Sequence, residues 1–577
     1  MKRVRKGMIS SLLAAGIAVA CLSTVKAQRT VERRGGPRDW SHANLVAAGW
    51  GTDDPGVRRN WRTLRKHILL EEARQRRTPE AEWMAWFNRL ARRPAPSTSQ
   101  SSSDVKLDWS LSTGGTGSVV GYPAKYSFDI TAANCSDVIY FTVNQNGSAT
   151  SPNVIAITNP YVGCPGNPAN LTPTVKFALR LPYGTGTSPT LSLDGTVLYV
   201  IESRSSANGG PILHAINVNN ITTNPGSYNF TISTWTSVHT LAAPNGTATS
   251  EQRFALTFAS TTNTLSSPYF DYDNNRIYFG DGAGRIHRIN NALNTTAAEA
   301  SGWPKTCSST GFQSPMVYDN QLIAGNTDGY LYRIDMSVAN PTCIAAQRFG
   351  GGSAAEGSPG GLTSPTIDIT NDKILVTTGD TATGEYKALA VYNLRFAAAE
   401  APVSVALLGN ADSVSAQFPA LDNAFWSNND GNVYAVGTGF TTNTLLMRVP
   451  YNGVTLGTVA GHAQFRRNTG ASAASVGTSP VVEFLTAAAV ANPDFIFVGG
   501  NGTNYNYMNR IASGFNGTAG SPVSMDGYFA PPSGVSSGIS VDTRTTATTG
   551  TTATANIYFG TAGGSVNSTI VQLAQQF

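Results

Sequence analysis

Charge is scarce in this chain. Only 13% of the 577 residues are Asp, Glu, Lys or Arg, about half the share usual in a soluble domain, which excludes a coiled coil and a long helical bundle. Past the first 22 residues no stretch of 18 or more apolar residues occurs, so no later segment spans a bilayer as a helix. Histidine is equally sparse: His42, His67, His214, His239, His287 and His462 lie far apart and form no HxxxH pair. With no CxxC either, a zinc site has no ligand set, and a disulfide framework is the better use of cysteine. Basic residues are not interleaved with a nucleic-acid-binding module, so nucleic acid is not an expected partner.

What is present begins with an export signal. Lys2, Arg3, Arg5 and Lys6 precede an apolar stretch over 8–22, and Val25-Lys26-Ala27 offers cleavage after Ala27. Residues 1–27 are therefore a signal peptide and the expected location is extracytoplasmic: periplasm, cell surface or secreted. Cys21 after Ala18-Val19-Ala20 is the competing acylation site, which would tether the chain to a membrane. The remaining cysteines, Cys135, Cys164, Cys307 and Cys343, are even in number, as an oxidising compartment requires. Three pairings exist; the local one, Cys135–Cys164 with Cys307–Cys343, is preferred because each bridge stays in or beside one repeat.

Residues 28–93 read as a basic helical module. Asp54-Pro55 and Thr78-Pro79-Glu80 start two amphipathic helices carrying Trp61, Leu64 and Ile68, then Trp83, Trp86, Phe87 and Leu90. That aromatic stripe reads as a docking face, and residues 94–103 as a Ser/Pro-rich linker. A segment near +7 over 28–96 thus precedes a body near −7. The basic segment either lies across its own acidic body or attaches to anionic lipid or an acidic envelope polymer, so peripheral or lipid-mediated membrane association is among the expectations.

From 104 to 577 the chain is repetitive, with 58 Gly overall. A proline follows a small or aromatic residue at Tyr122-Pro123, Ser188-Pro189, Ser267-Pro268, Ser314-Pro315, Ser364-Pro365, Phe418-Pro419 and Ser479-Pro480, at spacings of 66, 79, 47, 50, 54 and 61 residues. Beyond each come β-rich runs and a Gly or Asn turn, clearest in IYFGDGAGRIHRI (277–289), LIAGNTDGYLYRI (322–334) and FWSNNDGNVYAV (425–436). Periods of this size mark a solenoid or propeller. Eight units are expected, each with a third strand such as ILHAINV (212–218) and an outer strand such as TVKFALRL (174–181) or AQRFG (346–350). The last unit, NIYFGTAGGSVNSTIVQL (556–573), ends without an outer strand; DVKLDWSLSTG (104–114) supplies it and closes the ring, removing both open edges. Seven blades is the alternative if a weak terminal unit merges with its neighbour. The long insertions, 221–251 above all, are expected in loops on the ring faces, where binding commonly occurs.

SPYFDYDNNRIYFGDGAGRIHRIN (267–290) and SPMVYDNQLIAGNTDGYLYRID (314–335) resemble the repeat of PQQ-like, or quinoprotein-type, β-propellers: Ser-Pro, a strand, Tyr-x-Gly, an Asp-Gly turn, then Leu-Tyr-x-Ile-Asp. With the DWS elements at Asp39 and Asp108, the chain also resembles exported bacterial proteins of no assigned activity. The resemblance implies a β-propeller; in the dehydrogenases of this class it implies a quinone and calcium on the ring axis beside a disulfide of adjacent cysteines. No vicinal Cys-Cys and no repeated tryptophan docking pattern occur here, so no catalytic residue is carried over and no cofactor is expected.

Other chemistry is thin. Gly534-Val535-Ser536-Ser537-Gly538 has the spacing of a nucleophile elbow without strand-turn-helix context. Asp271-Tyr272-Asp273-Asn274-Asn275 offers oxygens for calcium but fits a hairpin turn as well. His214 and His287 fall inside strands, where packing is the default. The expected function is a non-catalytic scaffold binding a protein, envelope polymer or surface ligand. A quinone- or calcium-dependent oxidoreductase or another propeller enzyme, and a surface adhesion or carbohydrate-binding protein, are the alternatives.

Overall fold

The computed structural model describes residues 105–576 apart from the stretches 127–133, 165–172, 242–247, 259–263, 353–359, 412–416, 422–430, 439–443, 466–476, 486–493, 502–506 and 543–552 and a few one- or two-residue positions. Residues 1–104, where a signal peptide, a helical module and a linker are expected, lie outside the described residues.

Eight successive, mainly antiparallel sheets form the blades of a β-propeller, numbered 1 to 8 by innermost strands Ser118–Tyr126, Thr190–Leu191, Tyr269–Asp271, Met316–Tyr318, Thr366–Asp368, Ala420–Leu421, Gly477–Thr478 and Ser540–Asp542. Blade 3 is typical, with strands Tyr269–Asp271, Arg276–Gly280, Arg285–Asn290 and Ala298–Glu299 from the axis outward. Blade 8 takes Ser540–Asp542, Ala553–Gly560 and Thr569–Gln576 from after blade 7 and Val105–Ser112 from before blade 1. The register runs from Val105 opposite Gln575 to Ser112 opposite Thr569, with a bulge between Leu107 and Trp109. This is the closure expected from DVKLDWSLSTG, and eight separate sheets set the seven-bladed alternative aside.

The repeated Ser-Pro has a physical cause. Proline directly precedes the innermost strand in blades 2 to 6 and sits at the register shift inside Ser118–Tyr126 in blade 1, edge positions where a missing N–H is tolerated. In blades 2 to 4 the serine before it bonds to the neighbouring blade. The Tyr122 N–H donates to Ser188 Oγ (2.8 Å), the Ser188 N–H to Ser267 Oγ (2.9 Å) and the Ser267 N–H to Ser314 Oγ (2.8 Å). One residue past the proline, Thr190 Oγ1 donates to Pro268 O and Thr366 Oγ1 to Pro419 O. Blade 8 lacks the proline but keeps the device, since Ser540 Oγ donates to Pro123 O at 2.7 Å. The glycine of Tyr-x-Gly answers to the same junction: a Cβ on Gly280 would lie 2.3 Å from Phe312 Cβ of blade 4, and one on Gly560 2.1 Å from Val119 of blade 1.

Cores form between blades. Tyr269, Tyr278 and Ile286 of blade 3 pack against Phe312, Leu322 and Tyr332 on the way into and within blade 4. Outer strands differ from expectation in one place. Blade 4 ends on Cys343–Ala345 rather than on 346–350, because the chain leaves the sheet to meet blade 5, where the Gln347 N–H donates to Glu400 O and Gly350 bridges Thr381.

The insertion at 221–251 is also not a face loop. It forms a hairpin, Ser227–Asn229 with Thr234–Ser237, and then pairs His239–Thr240 parallel to Leu179 and Arg180 of blade 1. Tyr228, Phe230 and Trp235 pack edge-on with centroids 4.9 Å apart and join the core around Trp109 and Leu111. The Trp235 indole donates to Ser112 O (3.0 Å), and the Ser112 N–H donates to Tyr228 Oη (3.1 Å). This strap leaves blade 2, covers blade 1 and fastens the closing strand of blade 8. Its aromatic side chains, once buried, outweigh the polar residues between them. Blade 7 repeats the device over blade 6, with Val523–Ser524 parallel to Ala463 and Gln464.

Candidate functional site

Two buried histidines occupy one structural position. His214 of blade 2 and His287 of blade 3 lie in third strands, opposite Val200 and Phe279. His214 bonds Glu202 Oε2 through Nε2 and Gln252 Oε1 through Nδ1, both at 2.9 Å. His287 bonds Asp281 Oδ2 through Nε2 (3.1 Å) and Glu299 Oε1 through Nδ1 (2.6 Å), and its ring stacks on Phe279 at 4.7 Å. Blade 4 places Tyr332 at this position, where its hydroxyl donates to Asp328 (2.8 Å). Each histidine thus ties the second, third and outer strands of one blade together.

The electrostatics agree with a structural role. Burial pulls the His287 pKa down, but hydrogen bonds and charge from Asp281 and Glu299 outweigh it and set it above the usual imidazole value. Burial pushes Asp281 up, yet His287 and the Arg285 N–H and guanidinium hold it below the usual carboxylate range. Both His287 and Asp281 are almost fully enclosed, which closes this carboxylate–imidazole pair off from solvent.

The remaining sequence candidates are dispersed. His239 pairs with Glu251 within the strap at 3.0 Å, and His462 Nδ1 faces Gly517 O at 3.2 Å. In GVSSG, Ser536 Oγ donates to Val119 O of blade 1 (2.6 Å), while Ser537 Oγ accepts from the Gly560 N–H (2.7 Å) and donates to Gly538 O inside blade 8. Asp271 accepts from the Asn274 N–H (3.2 Å) and side-chain amide (2.8 Å), and Asn275 adopts φ +51°, which makes this segment a hairpin turn. The disulfides join Cys135 to Cys164 within blade 1 and Cys307 to Cys343 across blades 3 and 4. Among the described residues no group of three or more His, Cys, Asp or Glu is placed to hold a metal ion.

One surface feature escaped the sequence reading. On the outer strand of blade 5, Ser404–Asn410, the side chains of Val405 and Leu407 are each 42% exposed, and Val403 just before them 37%. Ala406 and Leu408 point the other way, into the core shared with blade 6. The signal was the alternation in VSVALL (403–408), which reads equally as a strand with both faces buried.

No family model matches the chain, and no curated protein matches it. Among solved structures, BamB from Moraxella catarrhalis aligns over 82% of this chain and 97% of its own at 11% identity and a TM-score of 0.43. Sqt1 from Chaetomium thermophilum aligns over 81% and 97% at 11% identity and a TM-score of 0.46. The computationally designed Ika8 protein aligns over 82% and 99% at 9% identity and a TM-score of 0.43. The blade count here rests on the sheets themselves.

Proposed function

We propose that this chain is an extracytoplasmic, non-catalytic scaffold whose PQQ-like propeller, residues 104–577, binds a protein. The observation that carries this reading is the ridge of Val403, Val405 and Leu407 on a blade whose outer strand has no further strand paired to it among the described residues. Exposed apolar side chains in a row on one strand favour a protein surface as the occupant. Two disulfides and the signal-like residues 1–27, cleaved after Ala27, support the compartment. The basic module 28–93, joined by the linker 94–103, adds a second point of attachment to the envelope in this reading.

The test compares the mature chain with Val405→Asp and Leu407→Asp variants in crosslinking on an envelope fraction. Loss of one defined crosslinked product in both variants, at unchanged melting temperature, is the expected result. The same product in equal yield from all three would sink the reading. A parallel comparison of residues 28–577 with 97–577 separates the contribution of the basic module.

A further inference from the structure

We propose that the wedge between blades 3 and 4 is a binding site for an oxyanion, a sulfate, phosphate or carboxylate group, held by Arg276, Arg288, Lys305 and the hydroxyl of Tyr278. In blade 3, Arg276 stands opposite Asn290 and Tyr278 opposite Arg288. Strand alternation puts these four side chains on one face, and Tyr278 identifies it as the face turned to blade 4. Trp303 gathers them. The Arg288 guanidinium lies 5.2 Å from its ring centroid, Lys305 Nζ 5.9 Å and the Tyr278 ring 6.0 Å.

The donors in this cluster are not spent. Tyr278 is fully buried with the Arg276 guanidinium beside its hydroxyl oxygen, which leaves its own O–H proton undonated, and Arg288 Nε lacks a hydrogen-bond partner among the described residues, a costly state for a buried polar atom. None of the three cations forms an ion pair among the described residues, while Arg285, Arg395 and Lys125 elsewhere do. The nearby carboxylate, Asp271, accepts from Asn274 and stands opposite Arg276, so it offsets one of the three positive charges and leaves two. Burial, and then the charge of Arg276, press the Arg288 pKa below the usual guanidinium value, with only Tyr278 acting the other way. An anion seated among these groups would relieve the repulsion and satisfy both donors, which is the arrangement arginine favours for oxyanions. The body that carries this cluster is net negative, so the local excess of positive charge is not a general surface property. The inference stands apart from the blade 5 ridge and does not depend on the scaffold reading.

The full chain is titrated with sodium sulfate, inorganic phosphate and sodium acetate, each against sodium chloride at matched ionic strength, following melting temperature and binding heat. Saturable stabilisation by at least one oxyanion above the chloride control is expected, and which of the three binds assigns the group. Arg288→Gln should weaken that binding at least tenfold, while Arg395→Gln, in an exposed pair with Asp319, should leave it unchanged. Lys305→Gln, on a side chain at the edge of the cluster, gives a second reading should Arg288→Gln fail to fold. No saturable effect beyond chloride, or an affinity unchanged in both cluster variants, overturns the proposal.

Discussion

Asp108 sits in the strand that closes the ring, with Gln572 Nε2 donating to its Oδ2 at 3.0 Å. Burial pushes its pKa up to about 6, and the Gln572 hydrogen bond only partly opposes this. The folded pKa therefore lies above the unfolded one, so the stability gained by the protonated carboxyl is complete below about pH 4 and lost as pH rises through about 6. Asp108→Asn should raise stability at pH 7.5 by about 1–3 kcal/mol and leave it unchanged at pH 4, checked by thermal denaturation at both. A lower melting point at pH 7.5 would mean that Gln572 holds the carboxylate well. Lys125 and Asp137 pose the opposite case: a fully buried ion pair at 3.0 Å, to which Tyr161 adds a hydroxyl at 2.6 Å. Asp137→Ala leaves a buried ammonium short of its carboxylate and should cost about 3–5 kcal/mol. The double variant Lys125→Met, Asp137→Leu should recover part of that in chemical denaturation.

Among elements, the strap over blade 1 is the one to cut. Trp235 is 4% exposed and holds Ser112 O as well as the aromatic cluster. Trp235→Ala should cost about 3–5 kcal/mol, and hydrogen exchange should quicken first in Val105–Ser112, the strand it fastens. Equal quickening in blade 5 would assign the loss to general destabilisation. The strap was not legible in the sequence because Tyr228, Phe230 and Trp235 are spaced by polar and turn residues, with neither helical nor strand period. The closing strand was legible because VKLDWSLS alternates and an unfinished last unit needs an edge partner. The basic wedge was not, since Arg276, Arg288 and Trp303 meet only through strand register and a turn after the outer strand. Blade 8 has Gly538-Ile539 in place of Ser-Pro, and Ser540 Oγ supplies a bond to blade 1 there.

For the whole molecule, the repeat reports contacts between blades more than structure within them. Serine, proline and glycine recur where neighbouring blades touch, so the architecture could be read while the ligand could not. Cys307–Cys343 extends this logic covalently by joining blades 3 and 4. Replacing both with serine should lower stability by about 2–4 kcal/mol, and adding reductant to the unaltered chain, which opens Cys135–Cys164 as well, should lower the denaturant midpoint by at least as much. No change in either would leave the noncovalent junction as the sole link between these blades.

The ring-closing pair carries one more consequence. Val105 opposes Gln575, so the start of one sealing strand lies beside the finish of the other. A load pulling those ends apart does not shear the pair; it peels the strands open one hydrogen bond at a time, starting from that end. Ser112, held by Trp235 and Tyr228, is at the far end of the seam. The strap is thus a rip-stop: a tug on the N-terminal segment can loosen the seam without unravelling the circle until that last clasp gives way.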